Sequence, residues 1–113
     1  MARGTNPHFM AGVPELMILR LLHEHEMYAY QLVQAIRVET RDVLNLGEGV
    51  VYRLVHTLKR EGALKSRRKS VEGRTRIYYT VTTAGQRRYG ALAKNWLTLA
   101  GAIRSVIEGV RGA

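Results

Sequence analysis

The chain has 113 residues, 46% of them apolar, with 18 Lys plus Arg against nine Asp plus Glu for a formal net charge of +9. This length suits one small domain that buries roughly two-thirds of its unfolded surface, and the positive excess makes a polyanion the default partner: nucleic acid, an anionic membrane or an acidic protein. The absence of cysteine excludes disulfides, thiolate zinc sites and a thiol nucleophile; no apolar run approaches the roughly 20 residues of a membrane span, and Met1 to His8 has no apolar signal core, so a cytoplasmic location is expected.

Val13-Pro14-Glu15 opens a first helix. Proline fits the first helical turn and an acid there suits the helix dipole. Leu16, Ile18, Leu19 and Leu22 then recur at helical spacing as far as Leu22 or His23. Glu24-His25-Glu26-Met27 is polar and reads as a turn. A second helix is expected from about Tyr28 to Val38, with Leu32, Ala35 and Ile36 on its buried stripe, and Thr40-Arg41-Asp42 breaks it. Gly47 is an acceptable N-cap for a third helix from about Glu48 to Glu61. Val51, Leu54, Val55 and Leu58 fall at i, i+3, i+4 and i+7, one apolar face. Val50, Arg53, Thr57 and Arg60 lie opposite, with Tyr52 and His56 at the margins, and Gly62 ends the helix as a left-handed cap. Three short helices, the last with a cationic outer face, fit a helix-turn-helix core; a generic small helical domain has the same pattern.

The positive charge is concentrated at the end of this third helix and just beyond it. Residues 59–76 carry eight bases and two acids, whereas residues 1–58 have a net charge of −1. Leu64 to Ser70 and Thr75 to Val81 read as two strands around Val71-Glu72-Gly73-Arg74. Ile77, Tyr79 and Val81 alternate with Tyr78 and Thr80, and the residues are β-branched or aromatic. The hairpin carries Lys65, Arg67, Arg68, Lys69, Arg74 and Arg76. Cations crowded on a ribbon repel one another but suit a structure lying along a phosphate backbone; a solvated hairpin with edge charges is the plainer alternative.

Thr83-Ala84-Gly85-Gln86 fits a capping box, with Thr83 as the cap and Gln86 as its reciprocal acceptor. A helix to about Gly109 comes next. Tyr89, Leu92, Trp96, Leu99, Ile103, Val106 and Val110 alternate spacings of three and four, as heptad a and d positions do, and Ala93, Leu97, Ala100 and Ile107 widen the stripe. Such a helix is about 40 Å long, more than the preceding domain can cover, so a twofold dimer is the expected use of the stripe. The alternative is a helix folded back across its own domain. The resulting architecture is mainly α with a small two-stranded β wing. Residues 1–82 form a winged helix-turn-helix DNA-binding unit, its wing at about 64–81, and residues 83–113 a long C-terminal dimerisation helix.

This order resembles the PadR family of winged-helix transcription regulators. The matching residues are Tyr28-Ala29-Tyr30-Gln31-Leu32 in the second helix and Gly49-Val50-Val51-Tyr52-Arg53-Leu54, then Leu58, Glu61 and Gly62, in the third. Gly73-Arg74-Thr75-Arg76-Ile77-Tyr78-Tyr79-Thr80-Val81-Thr82, then Gly85, resembles the family's wing and its exit into the last helix. The short length resembles the subfamily with a single C-terminal helix. The chain departs from the family pattern at Val50, where Ser or Thr is usual, at Arg53 in place of Pro, at Gly47 in place of Ser, and at Ala29 in place of Gly. Val50 can pack on a thymine methyl and Arg53 can contact guanine or phosphate.

The resemblance implies a homodimeric repressor of operator DNA, released by a small aromatic or lipophilic effector at the dimer interface, with Trp96 placed to stack on it. For DNA the candidates are Tyr52, Arg53 and Thr57, Val50 for apolar contact, Lys59 or Arg60 for phosphate, and Arg67, Arg68, Arg74 and Arg76 on the wing. The dimerisation candidates are Tyr89, Leu92, Trp96, Leu99, Ile103 and Val106. His23 and His25, with His8, offer imidazoles, but the HExxH spacing of zinc hydrolases is absent, and no metal or other cofactor is assigned. No glycine-rich phosphate loop or nucleophile beside a base marks an enzyme. A winged-helix module that binds an acidic protein, and a nonspecific DNA-binding protein, are the competing functions; a membrane role fails for want of an amphipathic basic helix.

Overall fold

A computed structural model describes residues 12–109; His8 and Val110 lie outside them. The elements run α1 (Val13–Glu24), α2 (Ala29–Glu39), α3 (Glu48–Arg60), β1 (Leu64–Val71), β2 (Arg74–Val81) and α4 (Thr83–Gly109). The first helix therefore extends to Glu24, and Tyr28 caps the second rather than joining it. The Gln31 side-chain oxygen accepts the Tyr28 backbone N–H at 3.1 Å, satisfying a donor at the helix start. Thr40 closes α2, its hydroxyl donating to the Ile36 carbonyl at 2.7 Å and accepting the Leu44 N–H at 3.1 Å. The expected break at Thr40-Arg41-Asp42 is made by two consecutive left-handed residues, Arg41 and Asp42.

The apolar faces read from the sequence meet in one core. Ile18, Leu19 and Leu22 of α1, Leu32, Val33 and Ile36 of α2, and Val51, Val55 and Leu58 of α3 are buried together. Ala63, Leu64 and Tyr79 extend this core beneath the hairpin. The strands pair antiparallel, from Leu64 opposite Val81 to Val71 opposite Arg74. The turn is thus only Glu72-Gly73, with φ of 51° and 78°. Both values are positive, as a two-residue type I′ turn requires, and the glycine adopts its φ without steric cost.

Two expectations need correction. Glu24-His25-Glu26-Met27 is not simply a polar turn: Met27 is buried and forms a β-bridge with Tyr79, the backbone N–H of Tyr79 donating to the Met27 carbonyl at 2.9 Å. The link between α1 and α2 thereby serves as a third, one-residue strand on the edge of β2. The cap of α4 is Thr82, not Thr83. The Thr82 hydroxyl accepts the Gly85 N–H at 3.0 Å and donates to the Gly62 carbonyl at 2.6 Å. Three residues beyond the true cap stands Gly85, which has no side chain to return the bond, so the expected capping box does not form. Instead Thr82 joins the end of α3 to the start of α4.

Arg88 strengthens that junction. Its guanidinium bonds Glu15 of α1 at 2.5 Å and Glu61, just beyond α3, at 2.8 Å. Tyr89 and Leu92 pack against the domain's own core. These two residues, expected in the dimer seam, serve the intramolecular packing of α4 on α1. Beyond them α4 leaves the domain, and Leu97, Leu99, Ile103, Val106 and Ile107 are exposed.

Candidate nucleic-acid interface

The surface of α3 divides as the periodicity predicts. Val51, Val55 and Leu58 face inward, while Val50, Tyr52, Arg53, His56, Lys59 and Arg60 are exposed and Thr57 is half-buried. Tyr52 is 56% exposed, and its ring lies 4.5 Å from that of His56. An added Cβ at Gly49 would lie 3.6 Å from an Arg53 guanidinium nitrogen, so Arg53 curls back over the first turn of its helix. Arg60 donates to the Thr57 hydroxyl at 3.4 Å. The outer face thus offers an aromatic ring, two hydroxyls and three cations, a set able to reach base edges and phosphates.

The register of the hairpin sorts its cations by face, because successive side chains on a strand point to opposite sides. Lys65, Arg67 and Lys69 share the outer face with Thr80, Tyr78 and Arg76, the residues opposite them. Arg68 stands on the other face, opposite Ile77. Arg74 sits beside the turn, next to Gly73.

The outer face is covered by the segment that carries Met27. Arg67 makes two parallel bonds to the Glu26 carboxylate, each 3.1 Å, and Lys69 bonds one of the same oxygens. The hydrogen bonds from Arg67 and Lys69 outweigh partial burial and hold the Glu26 carboxyl at a pKa of about 2. The Tyr28 ring meets Tyr78 edge-on at 5.3 Å. Arg76 lies 4.4 Å above the Tyr28 ring and Lys69 4.6 Å above the Tyr78 ring, within the range of cation–π attraction. Tyr79, on the core side, has its hydroxyl pKa raised, chiefly by burial and secondarily by the nearby Tyr52.

A groove of about 460 Å³ separates the start of α2 from α3 and β2, lined by Tyr28, Tyr30, Tyr52, Arg74, Arg76 and Ile77. It gathers three of the residues expected at DNA, Tyr52, Arg74 and Arg76, around one depression. Arg67, also expected there, is engaged by Glu26 on the outer face. Glu26, Tyr28 and Tyr30 are participants that the sequence reading missed. Their pairing depends on a contact across some forty residues of chain, for which no local periodicity gives a signal.

Trp96 of α4 stands between two hollows. One, of about 620 Å³, is lined by α1, α2 and α4 and includes Met17, Leu21, Ile36, Tyr89 and Leu97. The other, of about 190 Å³, includes Gly12, Leu16, Leu92 and Leu99. His23 stacks on Tyr89 at 6.4 Å. Among the described residues, no group of three or more His, Asp and Glu is placed to hold a metal ion, and no helix is long and apolar enough to cross a membrane.

Comparison with known proteins agrees with this architecture. A structure from Streptococcus mutans is 25% identical with a TM-score of 0.80, covering 100% of both chains. A PadR-like transcriptional regulator from Bacillus cereus is 22% identical with a TM-score of 0.78, covering 90% of this chain and 98% of that one. A PadR-like transcription factor from Bacteroides fragilis is 30% identical with a TM-score of 0.69, covering 88% of this chain and 94% of that one. The helices and hairpin form the winged-helix arrangement of these regulators. Residues 18–91, from the buried face of α1 through the wing and into α4, match the family directly, and the chain belongs to the PadR-like family of transcriptional regulators.

Proposed function

We propose that the protein is a homodimeric repressor that binds operator DNA in the cytoplasm and releases it when a flat aromatic or lipophilic effector binds beside Trp96. The observation that carries the DNA reading is the groove that joins Tyr52 of α3 to Arg74 and Arg76 of β2, a continuous aromatic and cationic surface. In this reading residues 1–82 are the DNA-binding unit and 83–113 the dimerisation helix. Val50, Tyr52, Arg53 and Thr57 face bases; Lys59, Arg60, Arg68, Arg74 and Arg76 face phosphates. The exposed stripe of Leu99, Ile103 and Val106 supports a twofold partner, and two copies can then engage half-sites about one DNA turn apart.

The test is fluorescence anisotropy on DNA from the protein's own promoter and on scrambled DNA, at two salt concentrations. Binding that prefers the promoter and weakens steeply with salt is expected for an autoregulating repressor. Equal binding to both would leave a nonspecific binder or a repressor of distant genes; no binding to either would favour an acidic protein partner. Two substitutions sharpen the result. Arg74→Ala is expected to weaken binding to every sequence and reduce the salt slope by about one. Arg53→Ala is expected to reduce discrimination between promoter and scrambled DNA; equal losses on both would make Arg53 a phosphate contact.

The effector reading rests on the hollows either side of Trp96, since flat aromatic side chains favour flat ligands in apolar cavities. Micromolar planar aromatic cations or phenolics are expected to quench Trp96 fluorescence and lower DNA affinity together, because release requires differential affinity between two states. Unchanged fluorescence across such a panel would remove Trp96 from the effector site.

A further inference from the structure

Six cations project from the hairpin, but they are not equally available. Glu26 holds two of them. Its carboxylate accepts both prongs of the Arg67 guanidinium at 3.1 Å and also takes the Lys69 ammonium. The Glu26 side chain is 19% exposed, while that of Arg67 is 65% exposed. The acid is therefore seated beneath cations that remain at the surface. The β-bridge of the next residue, Met27, to Tyr79 fixes the backbone from which it reaches. Lys65, Arg68, Arg74 and Arg76 have no acidic partner among the described residues.

We propose that Glu26 is a specificity-determining residue, which withholds Arg67 and Lys69 from the DNA backbone. The proposal rests on the DNA-binding reading of the preceding section. Phosphate contacts are blind to sequence and supply nearly all nonspecific affinity. The carboxylate fills the Nε–Nη2 edge of the Arg67 guanidinium, a geometry in which arginine binds anions well, and offsets its charge, so a phosphate reaching Arg67 meets a repelling carboxylate and must either displace it or use the remaining Nη1 edge. Glu26 remains ionised throughout the physiological range, its carboxyl being held at about 2 by these two cations. The wing consequently meets DNA with fewer free charges than its sequence contains. Binding leans more heavily on the contacts of α3, which read bases.

The experiment compares Glu26→Gln with Glu24→Gln. Both remove one negative charge, two residues apart. Glu24, however, pairs with Arg20 on α1 at 2.6 Å and holds no wing residue. In salt titrations on scrambled DNA, Glu26→Gln is expected to steepen the log–log slope by between about one and two, at about 0.9 per phosphate gained. Glu24→Gln is expected to leave the slope unchanged. Scrambled-DNA affinity at low salt should rise about tenfold in Glu26→Gln, more than promoter affinity, so that the ratio between them falls. Arg67→Gln with Lys69→Gln should reverse the gain in the Glu26→Gln background and leave the wild-type slope unaltered. An unchanged slope in Glu26→Gln overturns the proposal, as does an equal response of Glu24→Gln or a shallower slope on removing the two cations from the wild type. Each of these results requires wild-type DNA binding in the same titration; a wild type that binds no DNA overturns the DNA reading together with the proposal.

Discussion

Gly85→Ala is expected to destabilise the domain by about 3 kcal/mol, near the upper end of the usual cost of overpacking, and to lower its Tm by about 10 °C or more. A Cβ at this position would stand 2.1 Å from the Ala63 carbonyl oxygen and 2.6 Å from Val81 Cγ2. The first obstacle is backbone and cannot rotate aside. That oxygen also accepts the Thr82 N–H at 3.0 Å. Relief requires moving α4 off the end of α3, which strains the Thr82 bonds and the pairing of Arg88 with Glu15 and Glu61. Gly90, one and a half turns further along the same helix, provides the control. Nothing lies within 4 Å of its added Cβ, so Gly90→Ala should stabilise by about 1 kcal/mol through helix propensity alone. Thermal melts of both variants by circular dichroism check the pair. Equal effects of the same sign would show that close approach at Gly85 is not what holds the junction.

Ile103→Asp is expected to convert the proposed dimer into a monomer. Ile103 lies on the exposed stretch of α4 and belongs to no intramolecular core, so the monomer should retain its fold and helical content. In a twofold seam the carboxylate is introduced twice, and an unpaired charge at a packed apolar contact costs several kcal/mol. At about 1.4 kcal/mol per tenfold, the dissociation constant should rise by about a thousandfold or more. Sedimentation equilibrium reads the association state directly. Promoter binding should weaken in parallel, because two half-sites would no longer be held on one particle. A variant that sediments like the wild type would place the interface elsewhere.

The parts of the fold that could be read from the sequence are those whose cause is local. The apolar face of α3 repeats within one helix, and its end is marked by Gly62, with a φ of 86°. Glu72-Gly73 has the chemistry of a tight hairpin, although the strands pair one residue closer to the turn than expected. What could not be read was decided by distant partners. Thr82 and Thr83 are equivalent as local cap candidates; the carbonyl of Gly62, twenty residues earlier, selects Thr82. Tyr89 and Ile103 share one heptad pattern, yet only Tyr89 has its own domain beneath it. For the candidate DNA surface, the exposed residues of α3 followed from helical spacing. The division of the wing cations into held and free sets did not. It depends on Glu26 and Tyr28 being laid across the hairpin by the Met27–Tyr79 bridge.

That bridge has a mechanical consequence for how DNA is met. It fastens β2 at Tyr79, and the contacts of Glu26 with Arg67 and Lys69 and of Tyr28 with Tyr78 and Arg76 hold the hairpin as far as Arg76, leaving only Thr75 and Arg74 of β2 beyond them, a reach of about 7 Å at the usual rise per strand residue. The hairpin is in effect a bracket, braced against the domain along most of its length. The wing is therefore presented to a duplex as a braced arm with Arg74 at its tip, set at an angle to α3 that the segment between α1 and α2 fixes.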